Sequence, residues 1–181
     1  LNDHGRINYQ DFLDRADLLG TLGYPVLISN YDTHYRLASF LFRHTQKPIG
    51  LVMGIPTLRE IFDEKYYNKL DGGILEAFGR LFKNDLKMYV YPLLEKETGE
   101  LVTVENLTVS RRLRHLYAHL TANRHIVGID RYTTDYLTIF SREILGKIRK
   151  GQSGWEKCLP QKVAQTIKKK QLFGYKPKPR Q

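Results

Sequence analysis

The stretch Ile49-Gly50-Leu51-Val52-Met53-Gly54-Ile55-Pro56-Thr57-Leu58-Arg59-Glu60-Ile61-Phe62 changes its period half-way along. Its opening, residues 49–53, is a short apolar run of the kind that fills a strand. Gly54-Ile55-Pro56-Thr57 then turns the chain into a helix that reaches Phe62. Pro56 suits the first helical turn, because the N–H that it lacks would find no partner there anyway. A strand feeding directly into a helix is one βα unit, and the same order recurs on both sides of it. Recurring βα units stack into a mostly parallel sheet, so the pattern predicts an α/β domain.

Working outward, residues 9–20 carry Phe12, Leu13, Ala16 and Leu19 on one helical stripe, ended by Gly20 and Gly23, and residues 25–29 read as a first strand. Asp32 or Thr33 can cap a helix that runs to His44. Asp71-Gly72-Gly73 opens another, with Ile74, Leu75, Phe78, Leu81 and Phe82 at helical spacing, and residues 86–91 read as the third strand. Glu97-Thr98-Gly99-Glu100 suits a turn before a short extended piece over 101–104. After Ser110 a basic amphipathic helix runs to about Asn123, then come a strand over 126–129 and helices over 134–150 and 161–170. The expectation is one domain over residues 1–175, with four to five mostly parallel strands and a helical carboxyl end. A basic, proline-containing tail follows over 176–181.

Composition bounds the rest. With 181 residues and 41% hydrophobic content, the chain can bury a sizeable core, and its longest apolar runs fall far short of a membrane span. The start at Leu1-Asn2 reads as a piece excised from a longer protein. A lone Cys158 allows no internal disulfide and no cysteine-rich zinc site, which points to a reducing, cytoplasmic setting. The 29 Lys and Arg against 19 Asp and Glu give a net charge of +10. Much of that excess lies between Lys147 and Arg180, where eleven basic residues face one acid, Glu156. Such a field attracts nucleotides, or an acidic partner such as RNA or a protein.

In open α/β sheets ligands bind beyond the carboxyl ends of the strands, which singles out Asn30, Tyr31, Gly54 to Thr57, Tyr91 and Asp130 to Tyr132. The same residues also serve as ordinary turns and caps. Gly72-Gly73 before a helix is the nearest approach to a phosphate loop, without the full spacing of one. His115 and His119 stand four apart on a helix, yet the segment lacks the glutamate of a zinc-binding HExxH, and Arg111, Arg112 and Arg114 would repel a cation. No serine lies in a nucleophile elbow, and Cys158 has no histidine near it in sequence.

The segment Ile139-Phe140-Ser141-Arg142-Glu143-Ile144-Leu145-Gly146-Lys147-Ile148-Arg149-Lys150-Gly151, with Leu159-Pro160-Gln161-Lys162-Val163-Ala164 and residues 167–173, resembles the carboxyl end of bacterial nicotinate-nucleotide adenylyltransferases. The wider chain, through residues 1–9, Gly72-Gly73-Ile74-Leu75-Glu76 and Tyr89-Val90-Tyr91-Pro92, is similar to a family of longer bacterial proteins given that name by similarity. Some of these carry the name TonB-dependent receptor instead, although this sequence has none of the strand repeats of a barrel. The resemblance implies a Rossmann-like, three-layer fold on which ATP, with Mg²⁺, meets a pyridine mononucleotide. It adds Ser141 and Arg142 to the strand-end residues Asn30, Tyr31, Gly54 and Thr57 as the expected nucleotide contacts. Two signatures of the enzymes are altered. The His-x-Gly-His turn is replaced by Ser29-Asn30-Tyr31-Asp32-Thr33-His34. Of the Ser-Thr-x-x-Arg turn Ser141 remains, with Arg142 at the threonine position and Leu145 at the arginine position. An apolar Leu145 cannot donate a hydrogen bond to pyrophosphate, so the expectation is nucleotide binding with weak or no catalysis.

Overall fold

The structure is a computed structural model that describes residues 8–177. In chain order the elements are α1 (Tyr9–Thr21), α2 (His34–Leu41), β1 (Ile49–Gly54), α3 (Ile55–Ile61), α4 (Gly73–Leu81), β2 (Leu86–Tyr91), β3 (Leu93–Leu94), β4 (Leu101–Val102), α5 (Arg114–Ala122), β5 (Ile126–Gly128), α6 (Ser141–Arg149) and α7 (Gln161–Lys170). The described residues form two compact units: Asn30–Leu137 is one, and residues 8–29 with 138–177 are the other.

The Asn30–Leu137 unit holds a parallel sheet in the order β1-β2-β5. Its strands lie in chain order, so both crossovers step the same way. Right-handed crossovers stepping the same way put their connections on the same face of the sheet. Burial along the strands agrees with this. Met53 on β1 and Leu86, Met88 and Val90 on β2 are buried, with Ile126 of β5, in one cluster with Leu58, Phe62, Ala77, Phe78, Tyr117 and Leu120 of the helical layer. The rings of Phe62, Phe78 and Tyr117 meet edge to face, with centroids 5.0 and 5.2 Å apart. The opposite face carries Val52, 74% exposed, and Tyr89, 37% exposed.

The fold is therefore mixed α/β with a parallel sheet, as the βα pattern predicts. Among the described residues three strands pair in parallel where four to five are expected, and within the Asn30–Leu137 unit the helices cover one face of the sheet where a three-layer fold would cover both. The difference begins at residues 25–29. They have no regular structure and no partner strand, and Val26, Leu27 and Ile28 are exposed. They belong to the helical unit, which offers no strand among the described residues to complete a ladder. The piece over 101–104 does form a hairpin arm, pairing antiparallel as Leu93 with Val102 and Leu94 with Leu101, apart from the main sheet. Gly99 takes φ +69° in its turn, a conformation that favours glycine.

The helical unit packs α1, α6 and α7 around Trp155, which is 1% exposed, with Leu18, Ile144, Ile148, Val163, Ala164, Ile167 and Leu172. The expected helix over 134–150 is divided into a 3-10 turn at Thr134–Thr138 and α6, with Phe140 extended between them. The run Thr133-Thr134 and Thr138-Ile139-Phe140 is β-branched and aromatic, which lowers helix propensity at that point.

Two phenols are part of the larger core. Tyr67 donates its hydroxyl to the Ile61 carbonyl at 2.8 Å, and Tyr117 donates to the Val104 carbonyl at 2.6 Å. Burial pushes both hydroxyls up to about 12 from an ordinary value of 10.0. The folded chain thus keeps two protons that the unfolded chain releases above pH 10. Stability should be full below pH 10 and fall between pH 10 and 12, by roughly 1 kcal/mol per pH unit for each phenol. Urea titrations from pH 8 to 11.5 measure this, and a flat profile would contradict it. Phe78→Ala should cost about 3–5 kcal/mol in the same assay. Val52→Lys, on the bare face, should stay within about 0.5 kcal/mol of the parent.

Candidate functional site

The residues singled out in the sequence fall in three places. Gly54 closes β1 and Thr57 lies in the first turn of α3, at the carboxyl edge of the parallel sheet. Gly54 stands opposite Tyr91 in the strand register, and the Tyr91 ring meets that of Tyr132 at 5.9 Å. Asn30 and Tyr31 precede α2 in the same unit. Ser141 and Arg142 open α6 in the helical unit, where they line a hollow whose other walls are almost all apolar.

Tyr31 alone among these residues lines a pocket rich in cations. A hollow of about 280 Å³ is formed by Tyr31, Tyr35, Arg36, Ser39, Phe40, Arg43 and Arg80. The α2 helix builds most of it. Arg36, Phe40 and Arg43 follow at spacings of four and three, so they share one side of the helical turn. Thr33 caps α2 in an extended conformation, and the chain before it brings the Tyr31 ring to 5.3 Å from Phe40. Arg80 comes from the last turn of α4, and its guanidinium lies 5.9 Å from the centre of the Tyr35 ring.

No carboxylate lines this pocket. Arg36 is paired outside it with Asp32 at 3.3 Å, and Arg80 with Glu76 at 2.5 Å; both pairs are solvent-exposed and weak. Among the described residues no ion pair of Arg43 is found. Three arginines, the aromatic residues Tyr31, Tyr35 and Phe40, and Ser39 thus line one space of a size that suits a small phosphorylated ring compound. The sequence carried a usable signal, the Arg-x-x-x-Phe-x-x-Arg spacing from Arg36 to Arg43. Arg80 could not be found that way, because it arrives through the packing of α4 against α2.

The other candidates have structural occupations. Gly72 donates its N–H to the Glu76 carboxylate at 2.8 Å, so the position a phosphate would take beside Gly72-Gly73 is filled by the chain's own anion. A side chain at Gly72 would press on Glu76 Cβ at 2.8 Å, which explains the glycine. His115 receives a hydrogen bond from Arg114 at 3.0 Å, and His119 meets Asn123 at 3.3 Å. Among the described residues no three metal-ligating groups gather. The half-buried Cys158 lies 3.9 Å from the Gly154 carbonyl. In the basic carboxyl-terminal region Lys168 pairs with Glu156 at 2.7 Å and Lys170 with Asp17 at 3.0 Å, which lowers the free charge there. Most of the 176–181 tail lies outside the described residues. No described helix is long and apolar enough to cross a membrane.

Burial holds His34, the first residue of α2, below its ordinary value of 6.5. The neutral ring is therefore favoured in the folded state. Any stability tied to it is complete above pH 6.5 and declines as the pH falls further. An NMR titration of the His34 ring should give a midpoint under 6.5, and a midpoint at or above that value would mean a solvated ring.

Comparison of the chain with protein-family models, with curated proteins and with solved structures returns no match.

Proposed function

We propose that the chain is a nucleotide-binding α/β domain that holds a pyridine mononucleotide, with weak or no catalysis. The observation that carries this reading is the meeting of Arg36, Arg43 and Arg80 with the rings of Tyr31 and Phe40 around one pocket. The guanidinium groups suit the phosphate, since a planar fork matches its oxygens, and the ring faces suit the flat heterocycle. Kinship with nicotinate-nucleotide adenylyltransferases, on a Rossmann-like sheet, draws support from the parallel βα units and from the resemblance around Ser141. The Gly54, Thr57 and Tyr91 edge is the place where such sheets take a further ligand, and ATP with Mg²⁺ belongs there in this reading.

Full adenylyl transfer needs an in-line attack on the α-phosphate and donors for the leaving pyrophosphate. The missing histidine pair near Asn30 and the apolar Leu145 remove such donors, and loss of one typically lowers rate by about 10²- to 10³-fold. Binding without efficient turnover is the consequence.

Calorimetric titration of the chain with nicotinate mononucleotide, nicotinate riboside, ATP with Mg²⁺ and a short RNA tests the reading. The mononucleotide should bind saturably, and both the riboside and the Arg43→Ala variant should bind about tenfold more weakly or worse. Absence of mononucleotide binding at millimolar concentration would overturn the proposal. Salt-sensitive binding of RNA in its place would favour the basic surface as the functional one.

A further inference from the structure

The helical unit contains a larger hollow with a different chemistry. It measures about 690 Å³ and lies among α1, α6 and α7, walled by Leu18 and Leu22, by Ile144 and Ile148, and by Val163 and Ile167. Twelve of its fifteen lining residues are apolar, and the polar ones are Arg15, Ser141 and Arg142. The volume falls in the range of pockets that hold whole small molecules. The hollow opens to solvent, with Leu19 of its wall 47% exposed, so its aliphatic lining is apolar surface left in contact with water. An apolar occupant would take that surface out of water.

We infer that this hollow binds one long-chain acyl carboxylate, its chain against the α1, α6 and α7 walls and its head group at Ser141 and Arg142. The charges select that class. No acid lines the hollow. Arg15 is already held by Asp11 at 2.7 and 3.2 Å and lies over the Phe173 ring, so its charge is matched within the unit. Among the described residues Arg142 has no ion pair, which leaves one cation beside one hydroxyl for an incoming anion. A polyphosphate would set several charges against the side chains of Leu145, Ile139 and Pro160. A plain hydrocarbon would leave Arg142 unmatched. A single negative charge on a long apolar chain satisfies both parts of the wall.

The sole tryptophan, Trp155, is buried in the core of this same unit, so its emission offers an internal reporter. The test is displacement of a fluorescent undecanoate probe from the intact chain by C8, C12 and C16 carboxylates and by the C16 alcohol, below their micelle concentrations. One C16 carboxylate should bind per chain and perturb Trp155 emission, with affinity rising from C8 to C16. The C16 alcohol, and the carboxylate on Arg142→Gln, should each bind about tenfold more weakly. Leu145→Glu should abolish binding while circular dichroism shows the helices retained. Arg142→Gln changes an exposed side chain and keeps the test decisive if Leu145→Glu does not fold. Equal affinity for acid and alcohol, indifference to Arg142→Gln, many acyl chains per protein, or no displacement would each overturn the inference. So would self-association in light scattering that Leu145→Glu abolishes, which would assign the hollow to a second copy of the chain.

Discussion

The parallel ladder between β1 and β2, in register from Ile49 opposite Leu86 to Gly54 opposite Tyr91, is the constraint from which the larger unit is built. A parallel pair cannot be closed by a tight turn, so the chain must leave the sheet and return over one face of it. That requirement makes α3 and α4 necessary and directs their apolar side to Met53, Met88 and Val90. Once Phe78 is seated against Phe62 and Tyr67, the rest of α4 has no freedom, and Arg80 is carried to the rim beside Tyr35. The cationic pocket is thus a by-product of a crossover whose length and direction were set by strand pairing.

The two hollows described above differ in chemistry. The small one is walled by guanidinium groups and aromatic rings, and the large one by aliphatic side chains with a single unmatched arginine. Glu76 has a distinct part in the first. Its carboxylate accepts from the Gly72 N–H and pairs with Arg80, so it both closes the amino end of α4 and restrains the arginine that faces the pocket. An anion entering there competes with a carboxylate for Arg80 but meets no competitor at Arg43.

Much of this is legible in the amino-acid sequence. The strand over 49–53, its turn at Pro56, the strand over 86–91 and the stripe of Phe78 and Leu81 are each carried by local periodicity, and each lies where that periodicity puts it. Residues 25–29 have an equally strong strand pattern without a ladder, since pairing is a property of two segments and composition describes only one. The break at Phe140 was hidden for a related reason: no proline or glycine marks it, only a sum of small propensity losses. Of the site, Tyr31 was visible from its place after an apolar run. Arg36 and Arg43 were visible only as helix spacing, and Arg80 not at all, because its position depends on a contact between helices far apart in sequence. The resemblance drew notice to Ser141 and Arg142, but their apolar surroundings come from Leu18 and Leu22, more than a hundred residues earlier.

The bare face of the sheet is partly clothed by one side chain. The Tyr89 ring lies across the strand beside it, so close to Gly50 that a methyl group there would come within 3.1 Å of ring carbon. Glycine at that position leaves a dimple, and the ring fills it as a lid of one aromatic thickness over the β1–β2 hydrogen bonds. Beside Val52, which stays 74% exposed, this tyrosine stands where a parallel sheet would ordinarily have a second layer of helices. Any side chain larger than hydrogen at position 50 would press on that ring and make it give by a few tenths of an ångström.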